Sequence, residues 1–526
     1  LIKNNHFKMI NKLIRISVLL LIVAANSCQT GRKEFLAKKP NIIMFLVDDL
    51  GWQDTSEPFW TDTTPNNLKF YTPNMEKLAD QGMKFTQAYA CAVCSPTRVS
   101  LLSGMNAARH RVTNWTLQRG KNAVREPENL SIPQWNVNGV QAVDSIERSV
   151  CVTSLPQILR DNDYFTIHCG KAHFGAIGTP GENPLNLGFD INIAGHAAGG
   201  PGSYHGENNF SASWRGGGKT WDVPGLKKYH GQDINLSEAL TREALLALDS
   251  ALSVDKPFYL YMSHYGVHTP LEADNRFYQK YKDRGLEEPE ARYASMVESV
   301  DKSLGDLMDY LDKKGITENT IILFMSDNGG LSAVARGGEP HTHNLPLSSG
   351  KGSAREGGIR EPMMVKWPGV VEQNSVCHDY LIIEDFFPSI LQMAGIDDYK
   401  TIQHIDGKSF LPMLKQEGST ADNRALFWHY PNNWGPTGPG IGASSTIRLE
   451  DWKLIYYHGD RSFELFNMVD DIGETKNLAE EEPEILKELA QRITDYLKSV
   501  DAQMPVDKNT GRDVEWPADV LNPKAK

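Results

Sequence analysis

Basic charge is scarce in this sequence. Against 66 Asp and Glu stand 54 Lys and Arg, a formal net charge of −12. That balance excludes a nucleic acid as partner on bulk electrostatics, and an anionic substrate has to be met by a local positive pocket. Cysteine is scarce too, with six in 526 residues. No second Cys-x-x-C accompanies Cys91 and Cys94, so the soft ligands of a structural zinc clip are missing. Proline follows only one of these thiols, which is not the thioredoxin-like arrangement. Long apolar runs are lacking: the stretch at 16–25 is ten residues and too short to span a bilayer. Internal repeats and low-complexity tracts are absent, which excludes solenoids and arrays.

What is present is a soluble globular composition, 40% hydrophobic and 23% charged, with 44 Gly and 28 Pro for many ordered loops. The length asks for more than one core. Lys8, Lys12 and Arg15 precede the apolar run at 16–25, the pattern of a secretory signal, with Met9 a natural start. Ala25, Asn26, Ser27 and Cys28 then resemble a bacterial lipobox. The expectation is an exported lipoprotein, in the periplasm or at the outer membrane or cell surface, held to the membrane through a lipid on Cys28. Five cysteines remain, an odd number, so at least one is unpaired or modified.

Short apolar runs at 41–47, 164–168, 258–263, 320–325 and 363–367 read as buried strands. Met296, Val300, Leu304, Leu307 and Leu311 make one helix face, which Gly315 ends. Strands alternating with helices predict an α/β fold: a large, mostly parallel sheet sandwiched by helices, over 38–400 after a leader at 1–28. From about residue 400 the runs at 425–430, 445–449, 452–457 and 463–467 read as an antiparallel meander. Ile485, Leu486, Leu489, Ile493, Tyr496 and Leu497 add an amphipathic helix. A smaller C-terminal α+β unit over 401–526 is expected, with little pattern after Pro505.

In such sheets ligands bind beyond the carboxyl ends of the strands. Asp48-Asp49 ends the first run, and Ser326-Asp327-Asn328-Gly329-Gly330 follows the run at 320–325. Three carboxylates and an amide oxygen suit Ca²⁺ or Mg²⁺ better than zinc. Singly, each is an ordinary polar strand end or turn. Lys171 and His173 follow the run at 164–168, His264 and His268 the run at 258–263, and Lys351 lies between two glycines. Such lysines meet anions as point charges, and histidine moves protons near neutral pH. His264 reads as structural. Pro96 suits the first turn of a helix from Cys94 to Gly104, so Cys94 sits where free N–H groups favour an anion, with Arg98 one turn on.

Cys94-Ser-Pro-Thr-Arg98 followed by Val-Ser-Leu-Leu-Ser-Gly104 resembles the maturation motif of the type I, formylglycine-dependent sulfatases of the alkaline phosphatase superfamily. The blocks around Asp48-Asp49, Gly170-Lys-Ala-His173, His268-Thr-Pro270, Asp327-Asn328 and Gly350-Lys-Gly352 fall in the same order. The resemblance implies that a formylglycine-generating or anaerobic maturation enzyme oxidises Cys94 to Cα-formylglycine. It implies Ca²⁺, with Mg²⁺ the alternative, on Asp48, Asp49, Asp327 and Asn328. Arg98, Lys171 and Lys351 are then expected to offset sulfuryl charge, His268 to serve the leaving alcohol, and His173 to take a proton as sulfate leaves. Ala172 stands where the family usually has Trp, and Leu347-Ser-Ser-Gly350 replaces a segment that often carries arginine and two glycines. An exported member resembles the bacterial carbohydrate sulfatases, whose substrates are oligosaccharides from algal polysaccharides such as ulvan or galactans, or from host glycosaminoglycans. Trp115, His196, Tyr204, His205, His343, Asn344 and Trp434 are the loop residues singled out for sugar contacts. Two rivals stand beside this reading: a phosphodiesterase or phosphonate hydrolase of the same superfamily, and a glycan-binding lipoprotein without catalysis.

Overall fold

The computed structural model describes residues 39–124 and 126–522, so the expected leader at 1–28 and the expected lipidation site Cys28 lie outside the described residues. Eight strands form the large sheet: β1 (Asn41–Val47), β2 (Met83–Tyr89), β3 (Phe165–Gly170), β4 (Ile191–Ile193), β5 (Phe258–Ser263), β6 (Thr320–Ser326), β7 (Arg360–Lys366) and β8 (Ser375–Ile382). Their order is β8-β2-β7-β6-β1-β5-β3-β4. All pairings are parallel except those of β7, which runs against both β2 and β6. Strands β2, β4 and β8 were not foreseen: Lys84, Thr86 and Gln87 interrupt the apolar residues of β2, β4 is only three residues long, and the outer half of β8 is partly exposed at its end of the sheet.

Both faces of β1 are buried, which is why its sequence is apolar without alternation. Ile42, Met44 and Leu46 enter one core, and Ile43, Phe45 and Val47 the other. The second core is closed by α2 (Leu236–Ser253) and α3 (Glu288–Lys314). Met296, Val300, Leu304, Leu307 and Leu311 all point into it, and Gly315 caps α3 in the left-handed region at φ 68°. The first core receives α1 (Cys94–Ser103), capped by Gly104 at φ 67°.

The C-terminal strands β9 (Ala425–Tyr430), β10 (Ser444–Leu449), β11 (Trp452–Tyr457) and β12 (Phe463–Asn467) form an antiparallel meander in sequence order. Helix α4 (Pro483–Ser499) packs on it through Leu486, Leu489, Ile493 and Leu497. Tyr496 stacks on Phe427 with ring centroids 3.8 Å apart. Leu426 and Trp428 of β9 belong to the first core of the large sheet, so the meander is welded to it. The residues after Pro505, read as patternless, pair as strands: Val506 lies against Ser131 and Asp513. Hydrophobic periodicity could not show this, because each of these strands is two residues long.

Candidate active site

Register builds the site. Val47 lies beside Ser326, Leu46 beside Ser263, and Ser263 beside Gly170. The residues that follow β1, β6 and β3 are Asp48-Asp49, Asp327-Asn328 and Lys171; β5 lies between β1 and β3 and all four strands run parallel, so these residues emerge together at one carboxyl edge. Gly170 has to be glycine: it sits at φ +103°, and a β-carbon there would stand 1.8 Å from the Ser263 carbonyl oxygen. The buried N-terminus of α1 meets the same edge and brings Cys94 there, 4% exposed.

The carboxylates share one pattern: a cation holds one oxygen of each. Lys171 donates to Asp48 Oδ2 at 2.7 Å. Lys351 and Asn328 Nδ2 donate to Asp49 Oδ1 at 2.5 and 2.8 Å. Arg98 donates from Nε and Nη2 to Asp327 Oδ2 at 2.9 and 2.7 Å. Asp48 Oδ1, Asp49 Oδ2 and Asn328 Oδ1 are buried and have no hydrogen-bond partner among the described residues. Ligand atoms of Asp48, Asp327 and Cys94 lie within 4.8 Å of one another. Burial, then Asp327, pushes the Asp48 carboxyl well up. Burial also acts on Asp49, but Lys351, His268 and Lys171 outweigh it and hold that carboxyl low. Buried oxygens left bare beside one another carry a large desolvation cost that a hard cation removes. An all-oxygen donor set of three carboxylates and one amide fits Ca²⁺ or Mg²⁺. Asp49 and His173 hold left-handed backbones, φ 60° and 55°, conformations that cost non-glycine residues on the order of 1 kcal/mol and persist where the surroundings impose them.

Above this floor opens a cavity of about 310 Å³. Cys94, Asp49, His173, His268 and Lys351 line its base, and Trp115, Trp221, Trp434 and the apolar stretch 331–335 its walls. His173 donates from Nε2 to the Thr116 carbonyl over 2.8 Å, which leaves Nδ1 a bare, buried acceptor. Burial, with Lys171 adding to it, keeps this imidazole well below its usual range and therefore neutral. His268 donates from Nδ1 to the Thr269 carbonyl at 2.7 Å, and its Nε2 stands 3.9 Å from Asp49 Oδ2. Burial and then Lys351 lower it to about 3. Burial raises the Cys94 thiol, against Lys171 and Lys351, so the unmodified side chain is a poor thiolate nucleophile.

Arg98 and Lys171, expected to face substrate, do not line the cavity. Arg98 spends its donors on Asp327, the Lys171 carbonyl (3.0 Å) and Ser263 Oγ (2.5 Å). Among the proposed sugar contacts, Trp115 and Trp434 line the cavity, while His196 and His343 do not. His196 turns toward Tyr265, and its Nε2 is enclosed. His343 donates to or accepts from Ser332 Oγ at 3.3 Å and faces the Gly337 carbonyl at 2.9 Å. Tyr204 donates to the Tyr265 and His268 carbonyls at 2.6 and 2.8 Å, and Asn344 to Gly330 and Ser349 carbonyls at 3.1 and 2.8 Å, so both brace loops. His205 begins a short helical turn. His264 is buried on Ser303 Oγ at 2.9 Å, the structural place expected of it. Trp221 and Ser263 were missed. Trp221 follows a Gly-Gly-Gly-Lys-Thr stretch that reads as plain loop, and Ser263 ends a strand with no motif of its own.

Residues 40–396 match the family described as Sulfatase, and residues 351–503 match the family described as N-sulphoglucosamine sulphohydrolase, C-terminal. A sulfatase of Formosa agariphila is 30% identical, the match covering 91% of each chain. The N-acetylgalactosamine-6-sulfatase of Canis lupus familiaris is 29% identical over 81% of this chain and 78% of its own. Among solved structures, one described as "Ps i-CgsB in complex with k-i-k-neocarrahexaose" superposes with a TM-score of 0.70 at 25% identity, over 93% of this chain and 98% of that one. With the cation-ready carboxylates, the buried Cys94 and the fold all agreeing, the chain belongs to the sulfatase family and is a sulfuric ester hydrolase.

Proposed function

We propose that the chain removes sulfate from a carbohydrate ester, with Cys94 oxidised to formylglycine and one Ca²⁺ on Asp48, Asp49, Asp327 and Asn328. The observation that carries this is the half-satisfied carboxylate set: each acid is gripped by a cation on one oxygen, Asp48 Oδ1, Asp49 Oδ2 and Asn328 Oδ1 stay bare among the described residues, and ligand atoms of Asp48, Asp327 and Cys94 lie within 4.8 Å of one another. A bound Ca²⁺ supplies positive charge against the sulfuryl oxygens, and the formylglycine hydrate an oxygen nucleophile. Lys351 reaches the cavity and adds charge at the same place. Arg98 and Lys171 act from behind, orienting Asp327 and Asp48. His173 accepts a proton at Nδ1, the atom its bond to Thr116 leaves free. His268 lines the cavity, and the negative charge of a sulfate ester beside it favours the protonated form that serves the leaving alcohol.

Carbohydrate as the alcohol is supported by the names of the relatives and by three tryptophans around the mouth, whose flat faces suit sugar rings. Export, a lipid on Cys28 and a maturation enzyme belong to the same proposal. No helix among the described residues is long and apolar enough to cross a membrane.

The test is sulfate release from defined sulfated sugars: 2-, 3-, 4- and 6-sulfated hexoses, rhamnose-uronate oligomers, carrageenan oligosaccharides and glycosaminoglycan disaccharides. Peptide mass first establishes the aldehyde at residue 94, and Cys94→Ala is the control. Release from one regiochemistry, lost in the control, is expected. An aldehyde-bearing enzyme that hydrolyses aryl sulfate and none of these sugars overturns the carbohydrate reading.

A further inference from the structure

The catalytic cavity does not end at His268. Trp221, His268 and Thr269 line it, and the same three residues line a second groove of about 450 Å³. The far wall of that groove is Pro201, Ala212 and the turn Arg215-Gly-Gly217. The two hollows therefore share an edge built of Trp221, His268 and Thr269.

Among the described residues, Arg215 is the one formally charged residue lining the second groove, and His268 is the other titratable group there. It is exposed, and no hydrogen bond or ion pair engages its guanidinium among the described residues. The acid nearest in its own segment, Asp222, instead accepts the Ala212 N–H at 3.3 Å. The backbone under Arg215 is well fixed. It ends the 3-10 turn Ala212–Arg215, capped by the Ser211 side chain and closed by Gly216 at φ 71°. A pre-set backbone presents an unpaired guanidinium to a groove that opens from the catalytic floor, in a protein of net charge −12. Guanidinium is the side chain best matched to two oxygens of a sulfate or a carboxylate.

We infer that this groove is a second subsite, which takes the sugar next to the one that loses its sulfate, and that Arg215 pairs there with an anionic substituent on that neighbour, a sulfate or a carboxylate. The inference rests on the carbohydrate reading above. It makes the enzyme selective for an oligosaccharide with two anions on adjacent residues over a singly charged ester. Trp221 offers an indole to the linkage between the two rings.

The experiment compares wild type, Arg215→Ala and Arg215→Lys on four probes: 4-nitrophenyl sulfate, a monosulfated galactose, a carrageenan oligosaccharide sulfated on neighbouring residues, and a sulfated chondroitin disaccharide with its uronate. Wild type is expected to prefer one of the two-anion probes. Arg215→Ala should lose about tenfold in kcat/KM on that probe, mostly through KM and with a flatter salt dependence. The first two probes should change less than twofold, and lysine should recover part of the loss. Loss confined to the carrageenan probe names sulfate as the second anion; loss confined to the chondroitin probe names the carboxylate. Equal losses on all probes, no loss on any, or a wild type indifferent to the second anion overturns the subsite while leaving a carbohydrate sulfatase. Hydrolysis of 4-nitrophenyl sulfate with no sugar turned over fails the carbohydrate reading instead, and the subsite falls with it.

Discussion

Lys453, on β11 of the C-terminal meander, donates to Glu356, which opens the short helix Glu356–Ile359 leading into β7, over 2.9 Å, fully buried at both ends. The same ammonium meets Glu474 at 2.8 Å, and Glu474 Oε2 accepts the Glu356 N–H at 2.8 Å. Glu356 also accepts from Tyr89 at 2.8 Å and Arg360 at 3.2 Å. The segment carrying Lys351 is thereby tied to the meander. Lys453→Met should leave two buried carboxylates facing each other and cost roughly 3–5 kcal/mol of folding stability. Urea unfolding would measure it, and adding Glu356→Gln and Glu474→Gln should restore part of the loss. An unchanged midpoint would show that the triad carries no net stability.

Chelation and calcium should separate wild type from Asp48→Asn in opposite directions. Burial and Asp327 hold the Asp48 carboxyl in an unfavourable setting when no cation is present, so the variant should melt higher than wild type in EDTA. With calcium, wild type should gain about 2.7 kcal/mol at a hundredfold excess over Kd, and the variant much less. Melting curves with and without the ion are the readout. The same order in both conditions would argue against Asp48 as a ligand.

Glu384 gives stability a pH slope. Burial, helped by Asp385, raises its carboxyl to about 8, while its Oε1 accepts from Asn106 at 2.8 Å. The folded state then binds one more proton than the unfolded state between about 4.5 and about 8, so this group's contribution falls as pH rises through that window. Glu384→Gln keeps the acceptor and cannot ionise. Its melting temperature should converge on wild type near pH 4, exceed it increasingly up to about pH 8, and keep a steady lead above that. A constant offset across the range would sink the assignment.

Gly170→Ala should disrupt the active edge, because the new β-carbon meets the Ser263 carbonyl oxygen at 1.8 Å and the backbone lies at φ +103°. A cost of at least about 2 kcal/mol and a fall in kcat are expected, since Lys171 must move off Asp48. Gly178→Ala is the matched control, with positive φ (78°) and nothing within 4 Å. Thermal melting and turnover of both variants decide it.

Strand ends were legible in the sequence because apolar runs stop at Asp48, Lys171 and Asp327, and a parallel sheet aligns such stops. The helix start at Cys94 was legible from Pro96 and Gly104. What each cation does was not legible. Charge alone makes Arg98 and Lys171 anion-binding groups, and only three-dimensional register shows that Asp327 and Asp48 absorb them. His196 and His343 went astray for the same reason: a loop histidine can turn inward onto a carbonyl or a ring as readily as outward to a sugar. Arg215 and Trp221 carried no local signal, since a Gly-rich loop reads as a spacer until its neighbours are known.

The central place of β1 has a consequence in time. It is the first of the sheet's strands to be synthesised, yet its neighbours are residues 258–263 and 320–326. Until residue 263 has been made, a seven-residue apolar strand that needs cover on both faces and both edges has neither of its neighbouring strands, and it has both only at residue 326. Such a segment pairs with other chains as readily as with its own. A version truncated before residue 326 leaves at least one edge of β1 without its native neighbour and should precipitate rather than fold.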